Sequence, residues 1–214
     1  MTLLRIVFIT ILTSFLAAFN LSYADTNASN NTILVLGDSL SAAYRIEIEH
    51  GWVNLMRDRL DNYSEDEQWN VVNASVSGET TAGGLARLPS LIDKHKPVLC
   101  IIELGANNGL RGQSIILMQD NLQDMISLCG KSGISLLLGI KLPSNYGKKY
   151  TQAFHQVYID LAKKNNILLV PFLLEGIALE DKFLQTDRLH PTVEAQKLIL
   201  ENVWPTISKI IDSF

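Results

Sequence analysis

Five short apolar runs, at residues 32–36, 69–74, 98–104, 134–142 and 167–172, recur along this chain with longer amphipathic stretches between them. The runs are rich in leucine and β-branched residues and show little polar alternation, as strands buried on both faces do. The intervening stretches, 47–60, 84–95, 114–131 and 150–164, together with the closing 192–211, carry apolar residues at helical spacing. In the third of them Met118, Leu122, Met125 and Ile126 share one side, with Gln119, Asp120, Gln123 and Asp124 opposite. Gly130 and Gly133 then stop that helix before the next strand. Repeated strand–helix alternation predicts an α/β fold in three layers, α/β/α, with a parallel sheet and right-handed crossovers. Neither an internal repeat nor a linker divides the chain, and 214 residues suit one domain.

The N-terminus departs from this pattern. Residues 1–24 hold one charged side chain, Arg5, then an apolar run from 6 to 19, then Ser22-Tyr23-Ala24. A short positive start, an apolar middle and a small-x-small end read as a cleavable secretory signal peptide, cut after Ala24. The alternative is an uncleaved anchor, but a spanning helix needs about 20 apolar residues, and Asn20 interrupts this run. Residues 25–31 are then a polar, flexible lead-in and 32–214 the folded domain. That places the mature protein in a periplasm or outside the cell, with no stable membrane anchor. Eighteen basic against 22 acidic residues give a net charge of −4 with no basic stripe, so nucleic acid is not an expected partner. There is no His-Glu-x-x-His, Cys-x-x-Cys or phosphate-cradling glycine loop, and no metal or other cofactor is expected. Short loops offer no obvious interface, and a monomer is expected.

In a doubly wound sheet the ligand site lies beyond the carboxyl ends of the strands. The polar residues gather there. Gly37-Asp38-Ser39-Leu40-Ser41 follows the first run, Ser75-Val76-Ser77-Gly78-Glu79-Thr80 the second, and Gly105-Ala106-Asn107-Asn108-Gly109 the third. Asp187-Arg188-Leu189-His190-Pro191 comes after the fifth, just before the last helix. These residue types suit nucleophilic hydrolysis. A serine such as Ser39 needs a base to take its proton, and His190 is the candidate. The imidazole needs an acceptor to fix its tautomer, and Asp187 lies three residues earlier. A carbonyl under attack develops an oxyanion that needs aimed donors, for which the backbone N–H groups of Ser39 and Gly78 and the Asn107 amide are candidates.

The same residues carry a family resemblance. Gly37-Asp38-Ser39-Leu40, Gly78, Asn107 and Asp187-x-x-His190 resemble, in chain order, the first, second, third and fifth blocks of the GDSL, or SGNH, hydrolase superfamily. Val72-Asn73-Ala74-Ser75, residues 83–89, Gly109-Leu110-Arg111-Gly112 and Leu142-Pro143-Ser144-Asn145-Tyr146-Gly147 look more specific. They resemble the periplasmic bacterial acyl-CoA thioesterase, arylesterase and lysophospholipase group. The resemblance implies a flavodoxin-like five-stranded sheet, with Ser39 as nucleophile, His190 as base, Asp187 as its partner, and Ser39, Gly78 and Asn107 as the oxyanion hole. One departure stands out: the third block usually ends Asn-Asp, and here Asn108 replaces the aspartate. Asn108 keeps an acceptor oxygen but loses the charge, so a less firmly held Asn107 and reduced activity are expected.

Other residues have plainer readings. Asp38 and Glu103 are taken as structural carboxylates, and His50, His95 and His155 as helix residues facing solvent or packing locally. Cys100 and Cys129 fit either a disulfide or two buried thiols, and buried thiols are the reading adopted. Leu110, Ile140, Leu142, Pro143, Tyr146 and Phe172 are candidates for an apolar acyl groove, although the same residues would serve as core. The expected function is a serine esterase or thioesterase acting on a small acyl ester or thioester, such as fatty acyl-CoA, lysophospholipid or aryl esters. The alternatives are a carbohydrate acetyl esterase of the same superfamily and an inactive lipid- or glycan-binding module.

Overall fold

Successive side chains of a strand point to opposite faces, and in β1 (Asn31–Gly37) both sets are apolar. Ile33 and Val35 join one buried cluster, while Leu34 and Leu36 join another. The same split recurs in β3 (Leu99–Glu103), with Leu99 and Ile101 on one side and Cys100 and Ile102 on the other. In β4 (Ile134–Leu138), Leu136 and Leu138 oppose Leu137. Three central strands are therefore buried on both faces. β2 (Trp69–Asn73) and β5 (Leu168–Val170) are the edges, and there the expectation of double burial is corrected. Asn70 and Asn73 of β2 are exposed, and Leu168 and Leu169 of β5 are only half-buried.

The computed structural model describes residues 31–63 and 68–214, so the signal peptide assigned to 1–24 and the lead-in up to residue 30 lie outside the described residues. Asn31, assigned to the lead-in, already pairs with Trp69 as the first residue of β1. The strands form a five-stranded parallel sheet in the order β2-β1-β3-β4-β5. Helices α1 (Trp52–Asp61) and α6 (Val193–Ile211) cover one face. Helices α2 (Thr81–His95), α4 (Ile115–Cys129) and α5 (Lys148–Asn165) cover the other. Among the described residues no helix is long and apolar enough to cross a membrane.

Two boundaries moved for identifiable reasons. The fourth run was read as strand to residue 142, but the ladder ends at Leu138: beyond it the Gly139 N–H still donates to the Val170 carbonyl at 2.8 Å, while the Gly139 carbonyl accepts from Leu173 rather than from residue 172, so the register is lost. A one-turn helix, α3 (Ala106–Leu110), occupies what sequence gave as loop. Gly105 enters it at φ 128°, where an added Cβ would lie 2.1 Å from the Tyr158 hydroxyl oxygen, so glycine is required there. Ala106 begins the helix and has no positive φ. Cys100 and Cys129 are both reduced, at 1% and 0% exposure. Contact with the Cys100 thiol and burial both push the Cys129 thiol up, which keeps it protonated.

Candidate active site

The sheet order reverses between β1 and β3, where the chain leaves β1 in one direction across the sheet and β3 in the other. Crevices of this kind open at the carboxyl ends of the strands, and Gly37 and Glu103 are the last register partners there. After β1 the chain winds into a tight turn, with the Ala42 N–H donating to the Asp38 carbonyl at 3.0 Å. The turn sets Ser39, half-buried, at the mouth of the crevice.

The loop before α6 reaches the same point. Its register is fixed by Gln185, whose N–H donates to the His190 carbonyl at 2.7 Å, and whose amide donates to the carbonyls of Tyr44 and Pro191. The structure thereby brings together residues 151 positions apart: Ser39 Oγ lies 2.8 Å from His190 Nε2. On the far side of the ring Nδ1 lies 2.8 Å from Asp187 Oδ2. A carboxylate only accepts, so Nδ1 carries the hydrogen and Nε2 is left to accept from the serine hydroxyl. Burial pushes the Asp187 carboxyl up, but the N–H groups of His190 and Leu189 and the imidazole outweigh it. The net result is a value of about 2, so Asp187 is ionised near neutrality. The Tyr44 ring packs on the imidazole with centroids 4.3 Å apart. Sequence gave no sign of Tyr44, because its placement depends on left-handed backbone at Ala43 and Arg45.

Two of the three expected oxyanion donors, Gly78 and Asn107, are linked as well. Asn107, at the start of α3, donates through Nδ2 to Asp38 Oδ2 at 3.0 Å. Arg111 donates to the carbonyl of Gly78 at 3.0 Å and, at 3.4 Å, to Asn107 Oδ1. Gly78 sits at φ 80°, the left-handed backbone that favours glycine. Among the described residues neither Ser39 N–H nor Gly78 N–H has a protein acceptor. Both N–H groups are therefore free to donate to an incoming oxygen.

Asn108 is better held than its lost charge predicts. Its Oδ1 accepts from the Thr81 N–H at 2.9 Å, and its Nδ2, a donor that aspartate lacks, reaches Gln113 Oε1 at 2.9 Å. Asp38 does more than the structural reading allowed, because it grips both Asn107 and, through Oδ1, the Leu40 N–H. Glu103, fully buried, accepts from Asp38 N–H and Ser41 Oγ through one oxygen. Of the histidines set aside, His50 is exposed and His155 Nδ1 meets the Ile140 carbonyl at 3.1 Å. The groove residues divide. Leu110 and Tyr146 meet where the Tyr146 hydroxyl donates to the Leu110 carbonyl, and Pro143 is exposed nearby in sequence. Ile140 and Leu142 do not line a groove, since they pack in the core at 4% and 7% exposure. Phe172 packs against the opposite core cluster, beneath the Lys141 ammonium.

Burial pushes Asp38 up to about 6, partly offset by the Leu40 N–H and the Asn107 amide. Burial, and after it the charge of Asp38, push Glu103 well above the ordinary carboxylate range. The folded state thus holds a proton on Asp38 that the unfolded chain releases near pH 4. This group's contribution to stability falls as pH rises between about 4 and 6. Urea unfolding across that window should show Asp38→Asn losing the decline. Parallel profiles for the two proteins would contradict it.

A serine hydroxyl, an imidazole and a carboxylate in one hydrogen-bonded line, at the switch point of a doubly wound sheet, define a site of nucleophilic-hydrolase type. Comparison with known proteins agrees with that class. The GDSL-like lipase/acylhydrolase family matches residues 35–198. Esterase TesA of Pseudomonas aeruginosa is 47% identical over 185 residues, covering 86% of this chain and 91% of that protein. The thioesterase 1/protease 1/lysophospholipase L1 of Escherichia coli K12 is 40% identical over 178 residues, covering 81% and 82%. The crystal structure of a psychrotrophic esterase, EstA from a Pseudoalteromonas species, inhibited by monoethylphosphonate, aligns with TM-score 0.79 at 39% identity, covering 85% of this chain and 99% of that one. The chain belongs to the GDSL-like lipase/acylhydrolase family and is a hydrolase acting on ester bonds.

Proposed function

We propose that this hydrolase is an exported serine esterase and thioesterase of fatty acyl groups, working through an acyl-enzyme on Ser39. The observation that carries the reading is the unbroken line Asp187–His190–Ser39, with both hydrogen bonds at 2.8 Å. His190 Nε2 takes the hydroxyl proton as Ser39 Oγ attacks the acyl carbonyl carbon. The carbonyl oxygen becomes an oxyanion that accepts from Ser39 N–H, Gly78 N–H and Asn107 Nδ2. His190 then gives its proton to the departing alkoxide or thiolate, leaving the acyl group esterified to Ser39. A water molecule, deprotonated by the same nitrogen, attacks that ester, and the imidazolium returns the proton to Ser39 Oγ as the acid leaves. Asp187 stays ionised throughout and supports the imidazolium.

The thioester, aryl-ester and lysophospholipid substrates rest on the relatives' names and on the resemblance. Export rests on the sequence of residues 1–24. Leu110, Pro143 and Tyr146 offer apolar surface beside α3 for the acyl chain. The test is a series of p-nitrophenyl esters and acyl-CoA thioesters from acetyl to palmitoyl. Turnover rising to octanoyl or beyond, on both bond types, is expected. Activity on acetyl esters alone would replace this reading with that of a carbohydrate acetyl esterase.

A further inference from the structure

Arg111 is exposed, and among the described residues it makes no ion pair. The other arginine whose guanidinium donates to the second loop is used differently: Arg87 pairs with Glu79 and donates to the Ala74 carbonyl at 2.8 Å, which holds the base of that loop. Arg111 instead donates only to acceptors on the two oxyanion residues other than the serine, the Gly78 carbonyl at 3.0 Å and Asn107 Oδ1 at 3.4 Å. Its own backbone is fixed at the end of α3, where its N–H donates to the Asn107 carbonyl at 3.3 Å.

We infer that Arg111 is a positioning residue that locks Gly78 and Asn107 into a single donor array for the oxyanion. This rests on the oxyanion roles proposed above. On Asn107 the guanidinium and Asp38 act from opposite ends of one planar amide. Asp38 accepts from Nδ2 and Arg111 donates to Oδ1, so a flipped amide would set donor against donor and acceptor against acceptor. Only the orientation that leaves the second Nδ2 hydrogen free satisfies both. A cation on Oδ1 also polarises the amide, which makes its remaining N–H a stronger donor. On Gly78 the carbonyl and the N–H share one α-carbon, and at φ 80° that residue has no side chain to restrict rotation. Anchoring the carbonyl restrains the N–H beside it. Both bonds leave one nitrogen, Nη2, whose two hydrogens are held in the guanidinium plane, whereas the hydrogens of an ammonium rotate.

The experiment measures kcat and KM for p-nitrophenyl octanoate, with thermal unfolding as a control, for Arg111→Ala, Arg111→Lys and Arg111→Gln, in wild-type and Asn107→Ala backgrounds. In the wild-type background Arg111→Ala should lower kcat by about 10- to 100-fold, as misplacement of a catalytic donor does. KM and the unfolding temperature should stay close to wild type, and Arg111→Lys should recover only part of the loss. With Asn107 already removed, the fall on adding Arg111→Ala should shrink to what Gly78 alone accounts for. Inhibition by octaneboronic acid, whose adduct with Ser39 places an oxygen where the oxyanion forms, should weaken in parallel with kcat. Equal losses in both backgrounds would overturn the inference while leaving the oxyanion reading intact. So would a rise in KM at unchanged kcat, which would make Arg111 a binding group for the substrate. An Asn107→Ala variant with full activity would overturn the oxyanion reading and this inference together.

Discussion

Ser39→Ala and His190→Ala should each lower turnover by about 10⁵- to 10⁶-fold, and the double variant should be no worse than either alone. The two side chains share one hydrogen bond of 2.8 Å and one task, the transfer of a single proton during attack. Removing the hydroxyl removes the nucleophile, and removing the imidazole leaves a hydroxyl that stays protonated near neutrality. Losses that multiply would mean the residues act independently, which the line of hydrogen bonds does not allow. A fluorophosphonate probe should label the wild-type protein and fail on Ser39→Ala. Labelling of that variant would move the nucleophile elsewhere. Fluorescence and circular dichroism should show both variants folded, since Ser39 is only half-buried and His190 lies on a loop.

Asp187→Asn should cost about 10³- to 10⁴-fold in turnover while keeping the loop's shape. The two Asp187 oxygens do different work. Oδ1 accepts from the N–H groups of Leu189 and His190, both at 3.0 Å, and an asparagine oxygen can take its place. Oδ2 accepts from the imidazole, and there an asparagine presents an NH2 group. That donor holds Nδ1 as an acceptor and moves the ring hydrogen to Nε2, which then points a proton at the serine instead of taking one. The residue's stability contribution is also lost. A carboxyl lowered from the ordinary 3.8 to about 2 stabilises the fold above pH 4, and that contribution disappears as pH falls from about 4 to 2. An Asp187→Asn enzyme within ten-fold of wild type would show that orientation comes from the Tyr44 ring and Gln185 rather than from the carboxylate.

The sequence announced the layers and the ends of the first three strands well, because both depend on local patterning. Apolar runs of β-branched residues alternate with amphipathic stretches whatever their partners are, and Gly37, Gly78 and Gly105 mark where the chain must turn. It also named Ser39, Asp187 and His190, which the loops bring into one hydrogen-bonded line. What it missed is set by distant contacts. Asp38 looked structural because neighbours on a strand face opposite ways, yet β1 has ended at Gly37, and the turn beyond it lets Asp38 reach Asn107. Ile140 and Leu142 were offered as groove residues on hydrophobicity alone. Only the packing of α5 and the short α3 around them decides that they are core. The loss of charge at Asn108 looked like a defect until Gln113, five residues on, supplied the acceptor for its extra hydrogens.

The two reduced cysteines give the molecule an internal clock. Cys100 on β3 and Cys129 at the end of α4 are buried between the sheet and the α2–α4–α5 layer with at most 1% of their surface exposed, and mutual contact with burial keeps the Cys129 sulfur in its unreactive protonated form. A thiol reagent therefore meets neither sulfur while the sheet and that layer stay together. Fraying of the loops that shape the crevice leaves both hidden, whereas separation of the layers exposes both at once. The rate at which they become modifiable thus counts openings of the whole core, separately from the motions of the loops where the chemistry takes place.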